Sequence, residues 1–243
     1  MHLKPLNDLP LLDPQKEPPA VSVSITETPT PAPRPLYFAY GSNLSPTQMR
    51  LRCTANPARS AKPLAIARLD HWRWMICQAG YANVLPPAGL RVGQQVRDGE
   101  HVPVSGAQDA VFGVLYAMDP DDEFLLDGYE GVDHAAPGSR GSGPVPVEVR
   151  PREQGVGDYN KWYVPAVVAR WLDEDPARWV PGVGESGASV VTVLVYVDEN
   201  RVRLGPPKEE YIPRMNRAIR EAEAIGFPKE WADEVMRKSI PLN

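Results

Sequence analysis

One stretch constrains this chain more than any other. Leu36-Tyr37-Phe38-Ala39 is a short apolar run, and Tyr40-Gly41-Ser42-Asn43-Leu44 follows it directly. The run reads as a buried strand that breaks at the glycine into a polar turn. Ser45-Pro46-Thr47-Gln48 then has the form of a helix start. Strand, glycine turn and helix N-terminus point several backbone N–H groups at one spot. Such a spot binds anionic or carbonyl oxygens. The expectation at this point is a small-molecule site for an anion or an acyl group.

The rest of the chain divides unevenly. Residues 1–35 carry nine prolines and few large apolar residues. Proline fixes φ and removes a donor, so this stretch reads as a disordered or loosely docked extension. Residues 36–243 read as the folded domain. Strands are expected at Pro63 to Cys77, Ala82 to Leu85, Ala110 to Met118, Val145 to Arg150 and Val190 to Val197. Gly89 to Gln108 reads as a hairpin or loop insertion, and Gly182 to Gly187 as a glycine-rich loop without a phosphate-binding pattern. Asp119-Pro120-Asp121-Asp122-Glu123 starts a helix: an N-cap, proline at the first position, and acids facing the positive end. That helix stops near Gly128 or Gly131. Lys208 to Ala224 and Pro228 to Lys238 read as two closing helices. Strands on both sides of a few helices, without regular alternation, argue for an α+β fold with a mixed or barrel-like sheet.

Bulk chemistry excludes several classes. The 243 residues carry 26 Lys+Arg against 31 Asp+Glu, a net charge of −5, with no long basic run. Nucleic acid is therefore not the expected partner. No stretch approaches the ~20 apolar residues that span a bilayer, and no secretory signal pattern stands at the N-terminus. Cys53 and Cys77 rule out a disulfide framework and a Cys-rich zinc site. A single disulfide stays open, but two reduced cysteines in a cytoplasmic protein are the expectation.

Among candidate catalytic groups, Glu130 in Asp127-Gly128-Tyr129-Glu130-Gly131-Val132 stands out. An acid at a helix C-terminus faces the negative dipole end, and burial would raise its pKa further toward that of a general base. The competing reading is an ordinary solvated Glu in a turn. Asp127 is the other acid of the segment and reads as a helix-end residue that bonds backbone. His2, His71, His101 and His134 show no metal-ligand spacing, although His134 could touch the site. Ser42 lacks a nucleophile's setting. No metal or cofactor is expected.

Tyr37 to Leu44, Asp127 to Val132, and Val193-Leu194-Val195-Tyr196 leading to Glu210-Tyr211 resemble, in that order, the γ-glutamylcyclotransferase family. The resemblance covers most of residues 36 to 240. It implies a mixed β-barrel with flanking helices. It also implies a reaction in which a γ-glutamyl amide closes on itself, giving 5-oxoproline and a free amine without a cofactor. By the same resemblance Glu130 matches the catalytic glutamate, and Tyr40, Gly41, Ser42, Asn43 and Leu44 match the substrate-binding loop. Tyr211 and Tyr196 match tyrosines of the pocket. Gly41 is expected to permit close backbone approach, with a positive φ as a second reason. Asn43 after Ser42 resembles the γ-glutamylcyclotransferase proper more than the glutathione-specific or γ-glutamylamine branches. The segment 133–189 is long, and it reads as an insert at the pocket rim. Together with the Tyr211 to Asn216 run, it resembles filamentous-fungal members, some of which trim glutathione adducts in epidithiodioxopiperazine synthesis. The implied partner is a small γ-glutamyl substrate, and a homodimer is compatible. A non-catalytic γ-glutamyl-binding module and an enzyme for bulky glutathione conjugates are the alternatives.

Overall fold

The structure is a computed structural model that describes residues 34–90, 109–140, 145–180 and 190–242. The proline-rich extension up to residue 33, most of the Gly89 to Gln108 segment and the Gly182 to Gly187 loop lie outside those residues. The elements run β1 (Leu36–Ala39), α1 (Pro46–Arg52), α2 (Pro57–Ser60), β2 (Pro63–Asp70), β3 (Arg73–Ile76), β4 (Ala82–Leu85), β5 (Ala110–Tyr116), α3 (Pro120–Glu130), β6 (Asn160–Trp171), β7 (Val190–Val197), α4 (Tyr211–Ala224) and α5 (Lys229–Trp231).

Five strands close into a barrel in the order β1-β5-β2-β6-β7. All neighbours are antiparallel except β1 and β7, which run parallel and complete the ring through Leu36 opposite Val193 and Tyr37 opposite Leu194. The fold is therefore α+β, a mixed barrel with flanking helices. Closure removes the sheet's edges and gives the inward side chains one shared interior. Phe38, Leu64, Leu115, Trp162, Val193 and Val195 fill it, each essentially inaccessible. Outside the barrel, β3 and β4 form a separate hairpin. Helix α4 buries Tyr211, Met215, Ala218, Ile219 and Ala222, a helical-period stripe. Among the described residues no helix is long and apolar enough to cross a membrane. Cys53 and Cys77 are both free and buried.

Several expectations need correction. Pro63 to Cys77 is two strands, not one, because His71 turns the chain with a φ of 68°. Val145 to Arg150 is a turn, in which the N–H groups of Val149 and Arg150 both reach the Pro146 carbonyl. The segment after α5 widens from α-helix into a π-helical turn, Ala232–Met236. The largest departure is β6. The segment 133–189 is not simply a rim insert, since Asn160–Trp171 is a barrel strand between β2 and β7.

Candidate active site

The turn after β1 is a single 3-10 turn, Ser42–Leu44, with α1 directly behind it. Ser45 joins the two. Its Oγ accepts from the Gln48 N–H at 2.9 Å and donates to Glu221 Oε2 at 2.6 Å, which ties the start of α1 to α4. The Leu44 N–H donates to the Gly41 carbonyl at 2.9 Å. The turn thus consumes part of its own backbone and offers fewer donors than the sequence suggests. Gly41 has a φ of −117°, so a positive φ is not the reason for glycine here. Close approach is the reason: a Cβ at Gly41 would stand 2.9 Å from the Tyr211 hydroxyl and 3.3 Å from the Ala82 Cβ.

Glu130 is the last residue of α3. Gly131 ends the helix in the left-handed conformation, φ 66° and ψ 38°, which a side-chain-bearing residue adopts reluctantly. The Glu130 side chain is only 16% exposed. Its Oε1 accepts from Arg52 Nη1 at 2.8 Å and from Asn43 Nδ2 at 3.2 Å. Asn43 Nδ2 also donates to the Tyr37 hydroxyl at 2.9 Å, whereas Asn43 Oδ1 is buried without a partner among the described residues. Burial pushes the Glu130 carboxyl up, and the Arg52 charge, the Asn43 hydrogen bond and the Arg52 hydrogen bond only partly oppose it. The shift is in the direction that a general acid–base needs.

A cavity of about 330 Å³ opens over these groups. Of the residues singled out in the sequence, Tyr40, Gly41, Ser42, Asn43, Glu130, Tyr196 and Tyr211 all line it. Leu44 does not: it is fully buried, and its carbonyl accepts from the Tyr116 hydroxyl at 3.2 Å. The tyrosine hydroxyls are largely engaged. Tyr40 donates to the Tyr196 carbonyl at 2.6 Å, and Tyr196 donates to Asp127 Oδ1 at 2.6 Å. Burial pushes the Tyr40 and Tyr196 phenols well above their usual value. It takes Tyr211 to about 12, with backbone hydrogen bonds at Ala82 and Ser42 pulling the other way. These rings are neutral walls with polar tips. The Asp127 carboxylate, expected to bond backbone, serves side chains: besides the Tyr196 hydroxyl it accepts from Lys161 Nζ at 3.0 Å. His134 lies outside the cavity lining, 3.5 Å from Asp127 and stacked on Phe124.

Arg52, Tyr81, Tyr159 and Arg214 also line the cavity and were not singled out in the sequence. Arg214 could have been found, because it lies three residues after Tyr211 and so on the same helix face. Arg52 closes a seven-residue helix whose start is the turn itself, which puts its side chain within reach of the same spot. Nothing local marks Tyr159, whose hydroxyl donates to the Ala82 carbonyl at 2.8 Å across the fold.

No protein-family model matches the chain, and no curated protein matches it by sequence. Several solved structures align with most of it. An uncharacterized protein from Homo sapiens aligns over 86% of this chain and 89% of its own, at 20% identity and a TM-score of 0.47. YkqA from Bacillus subtilis aligns over 85% of this chain and 54% of its own, at 16% identity and a TM-score of 0.48. A yeast γ-glutamyl cyclotransferase specific to glutathione aligns over 84% of this chain and 97% of its own, at 14% identity and a TM-score of 0.42. With TM-scores below 0.5, no activity passes from these proteins to this chain.

Proposed function

We propose that this chain is a γ-glutamylcyclotransferase, releasing 5-oxoproline and a free amine from a γ-glutamyl amino acid or peptide. The observation that carries the reading is the Glu130 carboxyl. It is raised by burial, faces a small cavity, and stands beside the unpartnered Asn43 carbonyl at the foot of the glycine turn.

The substrate supplies its own nucleophile. Glu130 takes a proton from the substrate's α-ammonium, with Asn43 Oδ1 accepting another of its hydrogens. The freed amine attacks the γ-carbonyl carbon and closes a five-membered ring. The carbonyl oxygen becomes an oxyanion, held by backbone N–H groups of the Gly41–Asn43 turn. As the oxyanion collapses, Glu130 gives its proton to the leaving nitrogen and the bond from carbon to that nitrogen breaks. The ring nitrogen, which still carries two hydrogens after the attack, loses one of them to the freed Glu130 carboxylate, which passes it to the departing amine. The attack is intramolecular, so the protein's main task is to hold the folded-back conformer. Tyr40, Tyr196 and Tyr211 shape that space. Arg52 orients the Glu130 carboxylate through the 2.8 Å contact.

A cavity of about 330 Å³ lies near the lower end of small-molecule sites. It favours a compact γ-glutamyl dipeptide over a bulky glutathione conjugate. The test is 5-oxoproline release from γ-Glu-Ala, γ-Glu-Cys, glutathione and a glutathione S-conjugate. The dipeptides are expected to give the highest kcat/KM. No product from any of the four overturns the enzyme reading, and saturable dipeptide binding in its place would mark a binding module.

A further inference from the structure

Four residues that line the cavity carry charge: Arg52, Glu130, Asp158 and Arg214. Three of them are already paired. Arg52 and Glu130 hold each other, with the Arg52 guanidinium also lying over the Tyr129 ring at 5.0 Å. Asp158 accepts from Arg201 Nη2 at 2.7 Å and is mostly exposed.

Arg214 is different. Its guanidinium rides on two rings, 5.0 Å from the Tyr211 centroid and 5.9 Å from that of Tyr81. The carboxylate paired with it is Glu210, at 3.6 Å, beyond hydrogen-bonding distance. Glu210 itself accepts from the Tyr81 hydroxyl at 2.8 Å. Among the described residues, Arg214 Nε is buried with no partner. A planar fork of donors is thus held over aromatic walls and lines a cavity, without an acceptor in bonding range among the described residues. That arrangement suits a carboxylate, which a guanidinium grips with two parallel bonds.

We propose that Arg214 is a specificity-determining residue that binds the carboxylate of the leaving amino acid. The proposal rests on the cyclotransferase reading. A γ-glutamyl amino acid has two carboxylates. One is on the carbon that bears the attacking amine, and so stays close to Glu130 and Arg52. The other is on the leaving side, one carbon from the scissile nitrogen. Arg52 is engaged at the first of these positions, and Arg214 stands on a separate element, α4, where the departing part can reach it.

The matched substrates are γ-Glu-Ala and γ-glutamylethylamide, which differ only in the leaving-side carboxylate. The native chain is expected to prefer γ-Glu-Ala by about a hundredfold in kcat/KM, since a site built to pair a polar group strongly rejects the analogue that lacks it. In Arg214→Gln that ratio collapses to within a few-fold of one, chiefly through a higher KM for γ-Glu-Ala. Arg214→Lys, which keeps the charge but loses the fork, gives an intermediate ratio. A ratio that survives in Arg214→Gln overturns the proposal, and equal losses on both substrates would assign Arg214 to the glutamyl carboxylate instead. Absence of 5-oxoproline from both substrates with the native chain is a separate result: it sinks the cyclotransferase reading, and the proposal falls with it. Circular dichroism melts of both variants confirm that a folded protein is being assayed.

Discussion

On one half of the cavity lining, Asn43, Arg52 and Glu130 hold one another by hydrogen bonds of 2.8 to 3.2 Å. On the other half, Tyr81, Tyr211 and Arg214 meet ring against ring and cation over ring, at 5.0 to 5.9 Å. The difference separates two tasks. Hydrogen bonds fix a group to within a few tenths of an ångström, which a proton transfer needs. Edge-to-face packing and a cation over a ring hold less tightly and let the group slide, which suits recognition of leaving groups that differ from one substrate to another. The first half should therefore control turnover and the second half selectivity.

The sharpest way to break this contrast is at Glu130. Glu130→Gln keeps the volume and can keep the Arg52 contact through its carbonyl, but it cannot relay a proton. A loss of about 10³-fold in kcat, within the usual span for removing a general acid–base, is expected with an unchanged melt. Near-native 5-oxoproline release from this variant would remove Glu130 from the mechanism.

Gly41 is where the two halves touch, through the Tyr211 hydroxyl. Gly41→Val must displace either the turn or the tyrosine, because the Cβ alone would stand at 2.9 Å. A displacement of this kind costs about 10²-fold in kcat/KM when it moves a reacting geometry by ~1 Å, and overpacking costs about 1–3 kcal/mol of stability. Kinetics and urea denaturation read the two effects separately. A variant that loses stability but keeps its kcat/KM would mean that the two halves are not coupled through this contact.

A smaller effect should appear as a displaced pH profile. In the proposed mechanism Glu130 must be ionised to act, so kcat/KM should rise with pH along a limb governed by this carboxyl. Burial raises the pKa, so the limb lies above the ordinary carboxylate range. The Arg52 charge is the largest effect opposing burial. Arg52→Ala removes it, and the limb should move further toward neutral pH. Arg214 acts on Glu130 more weakly than Arg52 does, so Arg214→Gln should move the limb less. A limb that stays in place in Arg52→Ala would show that a different group controls the profile.

What the sequence revealed follows the range of the forces involved. The turn at Tyr40 to Leu44 and the start of α3 are legible because a glycine, a capping Asp119 and a first-turn proline act within four residues. Glu130 is legible because Gly131 stops the helix there. Strand β6 was not, even though Asn160, Trp162, Val164 and Ala166 alternate as buried residues. It starts with polar residues and carries Pro165, which normally argues against a strand between two others. The barrel tolerates it because β6 pairs with β2 only from Val167 to Trp171, so no ladder bond on that side is lost at Pro165. The place of Arg52 in the cavity lining was hidden for a related reason, whereas that of Arg214 could be read from its spacing to Tyr211. A surface arginine and a pocket arginine look alike until closure of the barrel decides which way α1 faces.

The smallest effect tests whether the hydrogen-bonded half needs its helix or only its own bonds. Asp119 caps α3 at the end opposite Glu130, its Oδ1 accepting from the Asp121 N–H at 3.2 Å. Asp119→Ala should cost about 1 kcal/mol of stability, the usual value of such a cap. The C-terminal end of α3 is held independently. The Glu130 carbonyl accepts from the Tyr159 N–H at 3.2 Å, the Asp127 carbonyl accepts from the Val132 N–H at 2.9 Å, and Arg52 and Asn43 hold the carboxylate. Fraying at the first turn should therefore lower the melting temperature by a few degrees and leave kcat unchanged at temperatures well below the melt. If kcat falls along with stability, Glu130 is positioned by the integrity of the whole helix, and the contrast between a hydrogen-bonded half and a ring-packed half loses its mechanical basis.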